Sequence, residues 1–315
     1  MPTAFNVQPP VSWFGSLKTR IARVRAKSWI EIAESVNRLL IRKLTSRSRE
    51  RRWKEFRANG TEFVFAKRAI AMVLCTNDSA ISRDLYVNGE HEFRSLERAL
   101  KLLGLNQLQV LVDVGANVGE VCIRAVKKGL TKRAIAIEAD PLNFQLLSIN
   151  AGLNGLTKTQ QLELHHAAAG SGTPSYVRMK KSLHNYGDHQ VLSDPQSLGA
   201  PEDRDSRVRN LRLDELNVSN FDPPALLWID VQGYETQVLQ GAKNLLTNAV
   251  AIAVEISPSH LELHSSLSDF MNLIGHYRGY FDLHLHNPSL QPLKFLERRY
   301  IQLRETSRHT DILLV

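Results

Sequence analysis

Asp113, Gly115, Asn117 and Gly119 fall within one short run, Val112-Asp113-Val114-Gly115-Ala116-Asn117-Val118-Gly119-Glu120, at the end of the apolar stretch Val110-Leu111-Val112. An apolar run closed by glycines and followed by helical periodicity reads as a buried strand, a tight turn and a helix. Gly115 and Gly119 have no Cβ, so the backbone there can bend sharply and lie against a ligand. The helix that follows presents free N–H groups at its start. The Asp113 carboxylate accepts hydrogen bonds from an amine or hydroxyl and suits a cation better than a pyrophosphate. Glu138 closes a second apolar strand, Arg133-Ala134-Ile135-Ala136-Ile137-Glu138, 19 residues after Gly119. Doubly wound nucleotide-binding folds place a ribose-binding carboxylate at that distance.

The missing patterns narrow the ligand. G-x-G-x-x-G does not occur, because Ala116-Asn117 follows Gly115 and the next glycine is Gly119, and no GxxxxGK[ST] loop accompanies it. A dinucleotide or nucleoside triphosphate is therefore disfavoured. A phosphate-free nucleoside with a positive sulfonium and an amino-acid tail fits an acid ahead of the glycine turn, and S-adenosylmethionine has that constitution.

Three segments in order, Leu111–Gly119, Ala136-Ile137-Glu138-Ala139-Asp140-Pro141, and Trp228-Ile229-Asp230-Val231-Gln232-Gly233-Tyr234-Glu235 with Val238–Ala242, resemble the FkbM-type S-adenosylmethionine-dependent methyltransferases. Similarity extends upstream through Asp78–Glu92 and downstream through Leu211–Leu216 and Asp311–Leu314, covering roughly residues 75 to 315. The chain departs from the family pattern at Ala139, where proline is frequent, and at Gln232, where glutamate is usual. The resemblance implies a class I, Rossmann-like methyltransferase with S-adenosylmethionine as cofactor and an oxygen acceptor on a carbohydrate or small molecule. Asp113, Gly115, Asn117 and Gly119 would then form the cofactor loop and Glu138 would hold the ribose. Ala167 and Ala168, after the third strand, would lie along the adenine.

Methyl transfer from a sulfonium is an in-line displacement, so the protein mainly aligns the acceptor and excludes water, while a hydroxyl acceptor also benefits from a base. Asp230, near the carboxyl end of the fourth strand, is the leading candidate. Glu235 falls in the first turn of the next helix, where a carboxylate is also electrostatically welcome without any catalytic role. His184 and His189 are candidate acid–base groups because histidine titrates near neutrality. Glu255, at another strand end, is a candidate for orienting the acceptor. No metal site is expected, since none of the histidine pairs converges with a third ligand in sequence.

These residues need a scaffold. Strand patterns near 109–114, 133–138, 161–167, 225–231, 249–256, 280–286 and 309–315 alternate with helical ones near 118–128, 141–152, 234–247 and 265–277. The expected fold is α/β, a doubly wound, mostly parallel seven-stranded sheet with ligands outside the strands' carboxyl ends. Residues 109–315 are expected to form the methyltransferase domain, preceded by a cap over 61–108 built from a strand pair or short helix and a helix from Ser95 to Leu103. The polar stretch 170–224 reads as a substrate lid, with Lys180–His189 as its densest polar cluster.

The net charge of +8 is concentrated at one end. Residues 1–60 hold 14 Lys/Arg against 4 Asp/Glu, and the remaining 255 hold 26 against 28. Trp29, Ala33, Val36, Leu40 and Leu44 recur at helical spacing within this basic arm. It reads as a helical extension that packs on the catalytic domain or a second subunit, or that makes peripheral contact with an anionic membrane face. No pattern in it supports nucleic-acid binding. Two cysteines, Cys75 and Cys122, are too few for a disulfide framework, and neither a membrane-length apolar stretch nor a signal-peptide core occurs, so a cytoplasmic setting is expected, with peripheral contact at the inner membrane face as its variant. Two other functions compete with methyl transfer: a scaffold that keeps the fold without turnover, recruited by its basic arm, and an NAD-dependent oxidoreductase, which the missing fingerprint disfavours.

Overall fold

The computed structural model describes residues 29–182, 184–192, 207–216, 223–246 and 250–315, with side chains from Leu44 onward. Residues 1–28 of the basic arm and the lid segments 193–206 and 217–222 lie outside the described residues. The described residues form two compact units, one ending at Arg52 and the other running from Trp53 to Val315. Helix α1 (Trp29–Ala58) accounts for all that is described of the first. No helix among the described residues is long and apolar enough to cross a membrane.

In the second unit, Trp53 at the end of α1 is buried, with its ring centroid 5.4 Å from that of Tyr86. An antiparallel hairpin follows, β1 (Phe63–Lys67) and β2 (Ala71–Cys75), then α2 (Ile81–Val87) and α3 (Phe93–Leu102). The alternation in Glu62–Leu74 thus resolves into the strand pair. Chain order continues through β3 (Leu108–Val114), α4 (Glu120–Lys127), β4 (Thr131–Glu138), α5 (Pro141–Leu153) and β5 (Leu162–His166). Asp140 caps α5 by accepting from the backbone N–H groups of Leu142 and Asn143, and Pro141 supplies a preset first turn, so sequence alone starts this helix at its observed place.

Residues 168–211 hold β6 (Ala168–Ala169), β7 (Tyr176–Lys180), β8 (Gln190–Leu192) and β9 (Arg207–Leu211), which pair into a small sheet in the order β6-β9-β7-β8. The described part of the 170–224 stretch is therefore not a structureless loop. Val177 and Met179 point inward at alternating positions and meet Val191, Val208, Ala168 and Tyr234, a core large enough to hold short strands.

The chain then runs through β10 (Ala225–Ile229), α6 (Glu235–Gln240), α7 (Lys243–Leu246), β11 (Ala251–Ile256), α8 (Pro258–Leu261), α9 (Leu267–Ile274), β12 (Gly279–Asp282), β13 (Gln291–Pro292), α10 (Leu296–Glu305) and β14 (Thr310–Leu314). The helix expected over 234–247 is divided after Gln240, where a Cβ on Gly241 would stand 1.9 Å from the Gly170 carbonyl oxygen.

The large sheet has the order β13-β12-β14-β11-β10-β3-β4-β5, with β14 antiparallel to both of its neighbours. All seven expected strands are present. The expected count is corrected to eight by β13, a two-residue edge pairing too short to leave a periodic pattern. Successive side chains feed opposite faces. Leu111, Ala134, Ala136, Leu226 and Trp228 pack under α4, α5 and the cap, whereas Val110, Val112, Val114, Ile135, Leu227 and Ile229 pack under α6, α9 and α10. Each such fully buried aliphatic side chain contributes about 1.5–3 kcal/mol. Strand order reverses between β3 and β10, and that switch point opens a crevice at their carboxyl ends.

Candidate functional site

A cleft opens at this switch point, lined by residues at the carboxyl ends of β3, β4 and β10. Asp113, Gly115, Asn117, Glu138, Ala167, Ala168, His189 and Asp230 all line it; Gly119, His184 and Glu235 do not.

The glycine turn forms one wall. Gly115 has φ +88°, and a Cβ there would stand 1.8 Å from the Asp230 carbonyl oxygen, so the ends of β3 and β10 approach as closely as main chain permits. Gly115 and Ala116 both donate backbone N–H to the Ile137 carbonyl, at 2.9 and 3.0 Å. Asn117 takes a left-handed φ of 48°, which asparagine tolerates better than most residues. Its backbone N–H reaches Glu138 Oε2 at 2.8 Å, while Asp140 N–H reaches Oε1 at 2.7 Å. Glu138 is thereby held at the strand end with further acceptor capacity on both oxygens. Gly119, also left-handed, sits against Leu147 and Ile123, where a Cβ would stand 2.5 Å and 2.7 Å from their side chains. Its role is packing at the start of α4.

Carboxylates dominate the charged part of the lining. Burial pushes Asp113 and Glu138 each up to about 7, although Asp113 Oδ2 accepts from Cys122 N–H at 3.0 Å and Glu138 accepts its two backbone bonds. Glu92, Glu120 and Asp230 complete a set of five acids, and among the described residues His91 and His189 are the only basic groups on the wall. Glu120 accepts from the backbone N–H of His91 and of Glu92. Its carboxylate therefore fixes the segment that brings Glu92 to Asp230.

Asp230 follows β10 directly, and burial and the charge of Asp311 raise its pKa while a hydrogen bond from Gln232 pulls it back. Gln232, with φ 52°, donates Nε2–H to Asp230 Oδ1 at 2.5 Å and to Glu255 Oε2 at 3.1 Å. A glutamate here could not donate to either. Burial, with repulsion from Asp230, Glu235 and Asp311, pushes Glu255 up to about 10, so it holds a proton at neutral pH. Burial and the Asp230 charge likewise raise Glu92 well above the carboxylate range. Within this group the hydrogen bonds from Gln232 and Glu92 favour the charged form of Asp230, whereas those shared with Asp230 raise Glu92 and Glu255 further.

The other candidates have different surroundings. Glu235 is 2% exposed and accepts the Gly233 backbone N–H at 2.9 Å, which accounts for its place at the start of α6. The His184 ring is exposed, and what the structure uses is its carbonyl, which accepts from Ser79 N–H at 2.9 Å and Ser79 Oγ at 2.5 Å. His189 Nδ1 accepts from Ser182 N–H at 3.0 Å, burial lowers its pKa, and its ring lies 5.4 Å from Tyr186. Between these histidines, the Tyr186 carbonyl accepts from Asn117 Nδ2 at 3.1 Å and from Asn143 Nδ2 at 2.9 Å. Residues 184–189 are thus strapped across the turn.

Sequence reasoning passed over Glu92, Glu120, Tyr186 and Asn143 as site residues. Glu120 and Asn143 each lie in the first turn of a helix after a strand-end acid, a position that could have flagged them. Tyr186 falls inside the Lys180–His189 cluster read as the lid, but nothing local marks its backbone carbonyl, which is the atom the structure uses.

The acids on the cleft wall suit a cationic ligand better than a phosphorylated one. The sequence profile of the methyltransferase FkbM domain matches residues 113–281, more than half of the chain. Among solved structures, methyltransferase FkbM from Methylobacillus flagellatus is 16% identical over 66% of this chain and 43% of that one, with a TM-score of 0.39. This chain thus spans less than half of that structure's length. TYW2 of M. jannaschii in complex with AdoMet is 12% identical over 80% of this chain and 85% of that one, TM-score 0.38. An RNA methyltransferase from Salinibacter ruber in complex with S-adenosyl-L-homocysteine is 16% identical over 53% and 76%, TM-score 0.30. No curated protein matches the chain significantly. On the strength of the profile match, the chain belongs to the FkbM methyltransferase family.

Proposed function

We propose that this protein moves a methyl group from S-adenosylmethionine to a hydroxyl oxygen of a carbohydrate or small molecule. The observation that carries the reading is the acid-lined cleft at the β3/β10 switch point, where backbone approaches without side chains at Gly115 and a ribose-spaced acid stands at Glu138. S-adenosylmethionine is the cofactor of this family, and when bound it supplies an electrophilic methyl group. Asp113, Gly115, Asn117 and Glu138 would hold it, with Ala167 and Ala168 along the adenine. The cleft's charge suits a sulfonium and an ammonium and repels phosphates.

This chain's own residues have three tasks. Asp230 takes the proton from the acceptor hydroxyl as the new bond forms. Gln232 holds Asp230 Oδ1 in place and favours its ionised form, while burial and repulsion push Glu255 and Glu92 toward the protonated form. The 184–189 strap keeps water from the turn. A positioned base of this kind contributes on the order of 10²–10⁴-fold.

The test is incubation with isotopically labelled S-adenosylmethionine and source-cell extract, followed by identification of the labelled product. An O-methyl ether supports the reading. A labelled amine or carbon centre moves the acceptor class, and S-adenosylhomocysteine binding with no labelled product in any extract favours the scaffold alternative.

A further inference from the structure

Asn143 sits in the first turn of α5, 1% exposed, on the wall of the cleft. Its side-chain nitrogen donates to the Tyr186 carbonyl at 2.9 Å, and because a carbonyl only accepts, that bond settles which end of the amide is which. The other end, Oδ1, is buried with no hydrogen-bond partner. Several buried side-chain atoms share that condition, but among the described residues Asn143 is the only one of them on the cleft wall. Buried acceptors are nearly always satisfied, so an unpartnered one on a residue that lines a ligand cleft points to a missing donor there.

We propose that Asn143 reads the nucleoside half of the cofactor, its Oδ1 accepting a hydrogen bond from that half. This rests on the S-adenosylmethionine reading above. Asn143 shares the Tyr186 carbonyl with Asn117, whose backbone N–H is bonded to Glu138, so it belongs to the same wall as the ribose acid rather than to the Asp113 end. The nucleoside offers two kinds of donor, the ribose hydroxyls and the adenine exocyclic amine. Either completes the amide. The phosphate of a nucleotide and the carboxylate of the methionine half only accept, and the methionine ammonium, which does donate, belongs with Asp113 at the other end.

The experiment is calorimetric titration of the full chain with four probes: S-adenosylhomocysteine, S-inosylhomocysteine, which replaces the amine with a carbonyl, and the 2′-deoxy and 3′-deoxy forms of S-adenosylhomocysteine. Wild type, Asn143→Leu and Asn143→Asp are compared. Wild type should disfavour at least one analogue by about tenfold or more, the scale of one lost hydrogen bond. Asn143→Leu should abolish the discrimination against that same analogue, and Asn143→Asp, which keeps an oxygen acceptor, should retain it. The analogue affected distinguishes amine from ribose. A uniform loss across all four probes in Asn143→Leu would mean the residue acts only through Tyr186, and it overturns the proposal, as does discrimination that Asn143→Leu leaves intact. Should Asn143→Leu fail to fold, wild type binding all four probes equally is by itself decisive against it. Wild type that does not bind S-adenosylhomocysteine at all defeats the cofactor reading together with this one, whereas binding without discrimination leaves the cofactor in place and defeats this proposal and the ribose role of Glu138.

Discussion

A Cβ on Gly115 would stand 1.8 Å from the carbonyl oxygen of Asp230, so the cofactor turn and the candidate base meet through main chain. Neither strand end can yield without moving the other. Gly115→Ala, strained also by its φ of +88°, should destabilise the fold by at least about 3 kcal/mol in urea unfolding. An unchanged unfolding midpoint would show that the turn relaxes freely.

Glu138 is positioned by two backbone N–H groups, from Asn117 and Asp140. Glu138→Ala removes the acceptor for both and for the ribose. S-adenosylhomocysteine affinity should fall by about 1–3 kcal/mol in calorimetry. Equal affinity would place the ribose elsewhere.

Much of this frame was legible beforehand. The apolar runs ending at Val114, Glu138, Ile229 and Ile256 gave their strands because each is buried on both faces, and periodicity records burial. Asp140-Pro141 fixed the start of α5 through local chemistry alone. The two-residue β13 was not legible because it is too short to leave a periodic pattern, and the small sheet β6-β9-β7-β8 was not because β9 pairs with segments far back in the chain. The same limit applies at the site. Asp113, Asn117 and Glu138 announce themselves within one βαβ unit, whereas the meeting of Glu92 with Asp230, or of Gln232 with Glu255, depends on tertiary contacts that no spacing reports. Glu235 reads equally as a base or a structural acid from sequence, and only its bond to Gly233 N–H separates the two.

That bond leads to a pH prediction. Burial pushes Glu235 up to about 7, above its ordinary value, so between about 4.5 and about 7 the folded state binds more protons at this group than the unfolded state. Its contribution is present at low pH and lost as pH rises through that window. Glu235→Gln cannot titrate, yet keeps an acceptor for Gly233. The stability of wild type relative to Glu235→Gln should therefore decline by about 1–3 kcal/mol from pH 4.5 to pH 8, while turnover stays within about threefold. A pH-independent difference would remove the buried-acid account.

The basic arm is proposed to contact anionic membrane faces. Residues 1–50 carry ten Lys/Arg against Glu31, Glu34 and Glu50. Co-sedimentation with phosphatidylserine vesicles should be strong at low salt, weaken at physiological salt through screening, and be lost on deletion of residues 1–50. Binding that ignores both salt and the deletion would exclude the arm.

The central claim, that Asp230 serves chemistry in a cleft whose cofactor is held by other residues, is tested most directly by Asp230→Asn. This change keeps shape and removes charge. Labelled methyl transfer should fall by about 10²-fold or more while S-adenosylhomocysteine affinity, measured on the same preparation, changes by less than about threefold. A parallel loss of binding and transfer would contradict the account by placing Asp230 in the cofactor site or the structural core, and undiminished transfer would show that the acceptor's proton leaves by another route.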